Sequence, residues 1–172
     1  MASIIKVDQI QTASGGTPTA ADLGLNTTGN VLQVVQTVNT TEQAVTSTAY
    51  TTVNNMSFSI TPSSTSSKIL ILINLNLEVY RNSAAPSNHQ MRVYRDGSVI
   101  VNKHHDHYAG VASNSYRSLD ADGTVMFLDS PGTTSSVTYS IAVKSNDAAD
   151  LQTVRVSNNS TTSTITLMEI AG

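Results

Sequence analysis

Three of the four histidines fall within four positions, His104-His105-Asp106-His107, and they are the residues best suited to bind a transition metal. In an extended backbone, side chains two positions apart point the same way, so His105 and His107 would share one side of a strand. A trimer with this strand on its axis would present six imidazoles, which suit an octahedral transition metal. The alternative is a solvated loop that carries three histidines. Apart from this metal, the sequence predicts no cofactor.

The acidic residues offer less chemistry. Asp120-Ala121-Asp122-Gly123 resembles the start of a calcium-binding loop, but Pro131 occupies the twelfth position, where such a loop needs an acidic residue. A polar turn is therefore the favoured interpretation. The chain has no close carboxylate pair of the kind a glycosidase uses, and no G-x-S-x-G or H-E-x-x-H motif. We predict that the protein is not an enzyme.

Tyrosine and arginine concentrate in the part of the chain with the weakest strand pattern. Tyr and Arg are favoured at contact surfaces, and loops on a rigid scaffold often carry the binding residues. We therefore predict a recognition surface in the loops around residues 82–88 and 104–117, formed by Tyr108, Tyr116 and Arg117. The equally weighted alternative is that these residues pack against neighbouring subunits.

Composition excludes several other classes of protein. Charged residues make up only 12% of the chain and the net charge is −3, which argues against nucleic-acid binding through several phosphate contacts. Cysteine is absent, so neither a disulfide nor a thiolate metal site can form. No apolar run is long enough to insert into a membrane as a helix.

The elements that must position these residues are predicted most clearly at Lys68–Tyr80. Its odd-numbered residues are all apolar, whereas its even-numbered residues are apolar at Leu70 and Leu72 and turn polar at Asn74. This period of two is typical of a strand. One side belongs to a core throughout. The other side is apolar only at its beginning, which suits a central strand of a sandwich or a strand that runs from the core to a subunit contact.

The rest of the chain after residue 30 also favours strands and turns. Tyr50–Ile60 shows regular alternation, Asp96-Gly97 indicates a two-residue hairpin, Thr124–Leu128 is a strand, and residues 104–115 are expected to form a long loop or irregular edge. Eight or nine strands without a βαβ rhythm predict an all-β fold. We expect an antiparallel β-sandwich, jelly-roll-like, over residues 31–172.

Residues 1–30 differ from the sandwich region. Ile4, Val7 and Ile10 could line one edge of an extended segment, which Ser14-Gly15-Gly16-Thr17-Pro18 then interrupts. The segment is too small to bury a core of its own and is expected to gain order by docking on a partner. We predict a short extended N-terminal arm that attaches the protein to another component.

Three stretches resemble known sequences. The opening I-I-K-V-D-Q-I-Q-T-A-S-G-G-T-P-T, the stretch Phe58–Leu70 and the ending Thr164–Gly172 are similar to structural proteins of marine and cyanobacterial phages. That family consists of tail-fibre-like and other virion appendage proteins. The middle of the chain, residues 82–121, shows no such resemblance.

The resemblance implies a virion protein with a short N-terminal attachment segment followed by a trimeric β-sandwich. The implied partners are two further copies in a homotrimer, other virion proteins bound through the arm, and a glycan or protein of the host surface. The implied function is that of a tail-fibre-like appendage that contributes to host-surface attachment. The alternative is a capsid decoration or head-fibre protein that stabilises or adorns the shell, and a small polysaccharide-cleaving enzyme is an outlier.

Overall fold

A computed structural model describes residues 10–19, 22–24, 27–81, 87–107, 117–146 and 152–172. These residues form two antiparallel β-sheets that pack face to face around one hydrophobic core. The prediction of an all-β sandwich is confirmed. In the part of the chain that the structure describes, no helix is long and apolar enough to cross a membrane.

Ten strands and one short 3-10 turn, Asn158–Ser160, make up the described elements. The strands are β1 Val31–Asn39, β2 Gln43–Val45, β3 Thr51–Ile60, β4 Lys68–Arg81, β5 Ser87–Arg95, β6 Ser98–His107, β7 Arg117–Asp129, β8 Val137–Ser145, β9 Thr153–Val156 and β10 Ser163–Ile170.

The strand pairing is that of a jelly roll. Sheet A has the order β1-β10-β4-β7, and the short strands β9 and β2 continue it beside the second half of β4. Sheet B has the order β3-β8-β5-β6. The hydrogen-bonded pairs β5–β6, β4–β7, β3–β8 and β1–β10 are nested in the sequence, as in one long hairpin rolled into two sheets.

Strand β4 is the centre of sheet A, as its alternation predicts. It pairs with β7 along one edge and with β10 and then β9 along the other. Its odd-numbered side chains are buried between the sheets, because both neighbouring strands place apolar residues beside them. The core that results is built almost entirely from aliphatic side chains. Its members include Val53, Met56, Ile69, Ile71, Leu75, Leu77, Met91, Val93, Tyr139, Ile141, Val154, Ile165 and Leu167.

A bulge in β3 interrupts the alternation expected across Tyr50–Ile60. The register with β8 shifts between Thr52 and Ser57, and Asn55 has a φ of 57°. Val53 and Met56 are therefore both buried, although regular alternation would place them on opposite faces. Asn tolerates this left-handed conformation better than most residues, which explains how the strand can bend there.

The expectation of a polar turn at Asp120-Ala121-Asp122-Gly123 is wrong, because these residues lie inside β7. Pairing with the second half of β4 holds this polar stretch in the sheet. Gly123 suits that position because a Cβ there would lie 3.0 Å from Leu77 Cδ1 and 3.3 Å from Met91 Sδ. Of the expected loop or irregular edge over residues 104–115, the first four residues continue β6, which is an edge strand of sheet B, and residues 108–115 lie outside the described residues.

The predicted Asp96-Gly97 hairpin joins β5 to β6. Both residues have positive φ, 46° and 81°, as a two-residue turn of this kind requires. Asp96 also accepts a hydrogen bond from the Thr138 amide at 2.9 Å. The turn is thereby tied to β8, which fixes the register of β5 and β6 at this end of sheet B.

Candidate interaction surfaces

The outer face of sheet A is apolar at one end. Register places Val34, Met168, Leu70 and Leu128 in one row across four strands, and Leu72 and Met126 lie beside each other in the next row. Met126 is 79% exposed, Val34 53% and Leu128 52%. We call the six residues Val34, Leu70, Leu72, Met126, Leu128 and Met168 the apolar patch.

The same face is polar at its other end. Beyond Asn74 the outer side of β4 carries Asn76 and Glu78, and β7 places Asp122 and Asp120 beside them. An open pocket of about 310 Å³ forms here. The described residues that line it are all polar: Asn76, Asp120, Asp122, Asn158, Asn159 and Thr161.

Glu78 organises the polar end. Its carboxylate accepts hydrogen bonds from Ser118 Oγ, from Asn158 Nδ2 at 2.8 Å and from Arg155 Nη1 at 3.1 Å. Arg155 Nε also lies 3.7 Å from a carboxylate oxygen of Glu42. The strand β9, the 3-10 turn and β7 are thereby joined through side chains on the outside of the sheet.

The outer face of sheet B is organised around Tyr50. Its hydroxyl lies 2.6 Å from Gln90 Oε1 and 3.1 Å from Asn102 Oδ1. The Arg92 guanidinium stands 3.9 Å from the ring centroid and the Lys144 ammonium 5.2 Å from it. This face therefore presents cations and amides around one aromatic ring, a combination that can hydrogen-bond to polar or anionic groups.

Buried polar groups tie the sheets together at one end of the sandwich. Asp129 accepts a hydrogen bond from the Tyr139 hydroxyl at 2.7 Å and two from Arg95 Nη1 at 2.9 Å. Burial, together with the hydrogen bond to Asp129, raises the pKa of Tyr139 well above its usual range. Tyr139 is therefore neutral near pH 7 and donates its hydroxyl proton to Asp129.

Glu169, near the end of β10, also joins separate elements through hydrogen bonds to a buried carboxylate. Its carboxylate is buried and accepts hydrogen bonds from Gln33 Nε2 at 2.6 Å and from the amide and hydroxyl of Ser63 at 2.7 Å. Burial alone would raise the pKa of Glu169, but these hydrogen bonds outweigh it and the pKa is lowered. The ionised carboxylate thus fixes the loop after β3 against β10.

His105 lies on the inner side of β6, opposite His89 of β5. The two imidazole rings stack with centroids 4.9 Å apart and an angle of 2° between their planes, and His89 is buried. His104 faces outward and lies 2.9 Å from Asn146 through its Nε2. Among the described residues, no group of three or more His, Cys, Asp or Glu is placed to hold a metal ion. An axial metal bound by His105 and His107 stays a prediction.

The remaining predicted residues are described only in part. His107 ends β6 opposite Ser87, and Arg117 begins β7 opposite Arg81, as far as their backbones show. Ile10 is 55% exposed. Ile4, Val7, Tyr108 and Tyr116 lie outside the described residues, so their predicted contacts stay predictions.

The sequence did not predict that the outer faces of the two sheets are candidate interaction surfaces. Leu70 and Leu72 signalled an apolar outer side on β4, but Val34, Met126 and Met168 come from distant parts of the chain. Tyr50 carried no local signal either, because its partners Gln90 and Asn102 lie 40 and 52 positions away.

No family model matches this chain, and no curated protein matches it. Among solved structures it is similar to the insecticidal delta-endotoxin Cry8Ea1 from Bacillus thuringiensis, with 13% identity, a TM-score of 0.37, and coverage of 75% of this chain and 19% of that one. It is also similar to infectious bursal disease virus, Gx strain, with 14% identity, a TM-score of 0.36, and coverage of 83% and 34%. The Gt strain gives 12% identity, a TM-score of 0.35, and coverage of 81% and 32%.

The chain thus spans between a fifth and a third of the lengths of these solved chains. The likeness is coarse at these TM-scores, and the assignment of a jelly roll rests on the strand order itself.

Proposed function

We propose that this chain is a structural protein of a phage virion, a tail-fibre-like appendage that acts as a homotrimer and contributes to host-surface attachment. Its two ends and its first sandwich strands resemble such proteins. The fold supports the proposal, because a jelly roll offers a rigid scaffold that can be packed in many copies. Low charge also limits repulsion between neighbouring copies.

The observation that carries the proposal is the N-terminal segment. Side chains of residues 10–19 are exposed or half-exposed, and the hydrogen bonds among Thr12, Gly15 and Gly16 close a local turn. Near the end of the segment, Gly29 and Asn30 pair with Ala171 at 2.8 Å. A segment whose described side chains at residues 10–19 face solvent suits attachment to another virion protein.

Deletion of residues 2–26 tests the attachment. We expect the truncated protein to keep its far-ultraviolet circular dichroism and thermal unfolding, because Gly29 and Asn30 remain, and to be missing from purified particles. Quantitative mass spectrometry of those particles measures the copy number. Full-length protein with Gln11→Ala, an exposed position outside the predicted Ile4, Val7 and Ile10 edge, is the control for a mild change in the arm and should be incorporated normally. Truncated protein present at its normal copy number would refute attachment through the arm.

Host contact is assigned to Tyr108, Tyr116 and Arg117, within the predicted recognition region of residues 104–117. Replacing these three residues with Ala should reduce adsorption of particles to host cells while the oligomeric mass stays unchanged. Val99→Ala, a change at an exposed residue of β6 outside this region, is the control and should leave adsorption unchanged. Unchanged adsorption of the triple variant would show that these residues do not contribute to host recognition, and a lost oligomer would place them in a subunit interface.

A capsid decoration or head-fibre protein is the second candidate. The observation that favours this candidate is the apolar patch, because an exposed apolar face can also lie against a capsid shell. Electron microscopy of immunolabelled particles distinguishes the two locations. A copy number of a few to tens per particle indicates a tail position, and sixty or more indicates the shell.

A further inference from the structure

The apolar patch is continuous across the full width of sheet A. Its first row runs from Val34 on β1 through Met168 and Leu70 to Leu128 on β7. In the second row a hydrogen bond of 2.7 Å from Gln36 Nε2 to Thr166 Oγ1 joins the two polar side chains next to Leu72 and Met126. The patch therefore borders a pair of polar side chains that bind each other.

The six residues of the apolar patch are not members of the core between the sheets. The inner sides of the same strands already bury the core, with Ile71, Ile165 and Leu167 fully inaccessible. Outward-facing residues of an antiparallel sheet are normally polar. A contiguous exposed apolar area is characteristic of a protein–protein contact.

Charge is excluded from the patch and placed at its borders. Lys68 lies at one end, where its ammonium donates to Ser130 Oγ at 2.8 Å. At the other end, beyond Asn74, lie Glu78 and Arg155. A neutral apolar surface needs no oppositely charged partner, so the apolar patches of three copies can pack around a three-fold axis without charge repulsion.

The dimensions of sheet A set the size of the contact. Four strands at about 4.8 Å spacing and a β4 length of about 45 Å give an outer face on the order of 800 Å², which is about what one partner of a standard interface buries. The apolar patch covers about half of this face, so a contact of standard size includes the polar end as well, with the patch as the interface core and the polar end as its rim.

We propose that copies of this chain pack against one another through the apolar patch. The inference deepens the proposed homotrimer by naming the surface that its subunits share. Sheet A then faces the three-fold axis and sheet B faces outward. The cations around Tyr50 remain available to solvent in this arrangement. The predicted axial metal at His105 and His107 requires β6 on the axis instead, so a trimer that binds a metal there would contradict this arrangement.

Sedimentation equilibrium of the full-length protein at micromolar concentration tests the proposal. Wild type should have three times the chain mass of 18.2 kDa. Met126→Glu and Val34→Glu should sediment as monomers with circular dichroism unchanged, because both positions are exposed in the single chain. The dissociation constant should rise at least about 100-fold when a charge enters an interface core.

Val99→Glu is the matched control. Val99, like Val34, is a half-exposed valine on an edge strand, but it lies in sheet B, and the trimer should persist. A wild-type monomer, or trimers in both patch variants, would overturn the proposal. A wild-type trimer that survives Val34→Glu and Met126→Glu would leave the proposed virion role intact and move its interface elsewhere. Particle incorporation tests that role separately.

Discussion

The outer faces of the two sheets differ in the side chains that they present to solvent. Sheet A leaves Met126, Leu128 and Val34 open to solvent at one end, whereas sheet B covers its strands with Tyr50 and the side chains that hydrogen-bond to it or stack on it. Both sheets contribute their inner sides to one core, so the difference lies on the sides that face away from it. One face is therefore suited to contact another protein surface, and the other is suited to solvent or to a polar ligand.

The contrast between the two sides of β4 gives the largest expected effect. Ile71→Ala should reduce the free energy of unfolding by about 2–5 kcal/mol, because it opens a cavity at a fully buried site. Leu70→Ala, one residue away on the outer face, should cost less than about 1.5 kcal/mol when the chain is monomeric. Urea unfolding in the Met126→Glu background measures both. Equal costs would mean that the outer side of β4 is as buried as the inner side.

The next largest change in the free energy of unfolding is expected at Glu169, at the corner of sheet A that borders the apolar patch. Glu169→Gln should cost about 1–3 kcal/mol at pH 7, because Ser63 and Gln33 lose a charged acceptor. Since the folded pKa is lowered, the carboxylate stabilises the fold above the unfolded pKa, and this contribution is lost as the pH falls through the folded value.

Unfolding curves between pH 3 and pH 7 check that sign. The difference between wild type and Glu169→Gln should shrink toward acidic pH. Glu42→Gln is the matched control, since Glu42 is exposed and its Arg155 contact is 3.7 Å long, and it should change stability by less than about 0.5 kcal/mol. A difference that is constant with pH would contradict the assigned ionisation.

Tyr50→Phe tests the side-chain contacts on the outer face of sheet B and should reduce the free energy of unfolding by a smaller amount. Loss of the hydroxyl contacts with Gln90 and Asn102 should cost about 1 kcal/mol, while the ring stays under Arg92. The oligomeric mass should not change, because this face lies outside the proposed contact. If the Tyr50→Phe oligomer dissociated, the subunit contact would lie on sheet B, and sheet A would be the face open to solvent.

Salt should have the smallest effect. Raising sodium chloride from 0.05 to 0.5 M should change the dissociation constant of the oligomer by less than about threefold, because the apolar patch carries no charge and screening acts on exposed charges. Contacts made through Arg92 and Lys144 would weaken clearly over the same range. Sedimentation at both salt concentrations distinguishes the two faces without any mutation.

The sequence alone determined the local features. The alternation of Lys68–Tyr80 fixed β4 and which side enters the core, and the change at Asn74 marks where the outer face turns polar. Asp96-Gly97 fixed a hairpin, since both positions must accept positive φ. These features are encoded within a few neighbouring residues, and a period or a turn chemistry is enough to read them.

Tertiary structure alone decided which surfaces exist. Met126 meets Leu72, and Val34 meets Met168, through strand register between segments more than fifty residues apart. Gly123 and the acidic residues before it belong to a strand because the second half of β4 offers them a partner. Such pairings depend on the free energy of the whole sheet, so no local pattern in the sequence contains them.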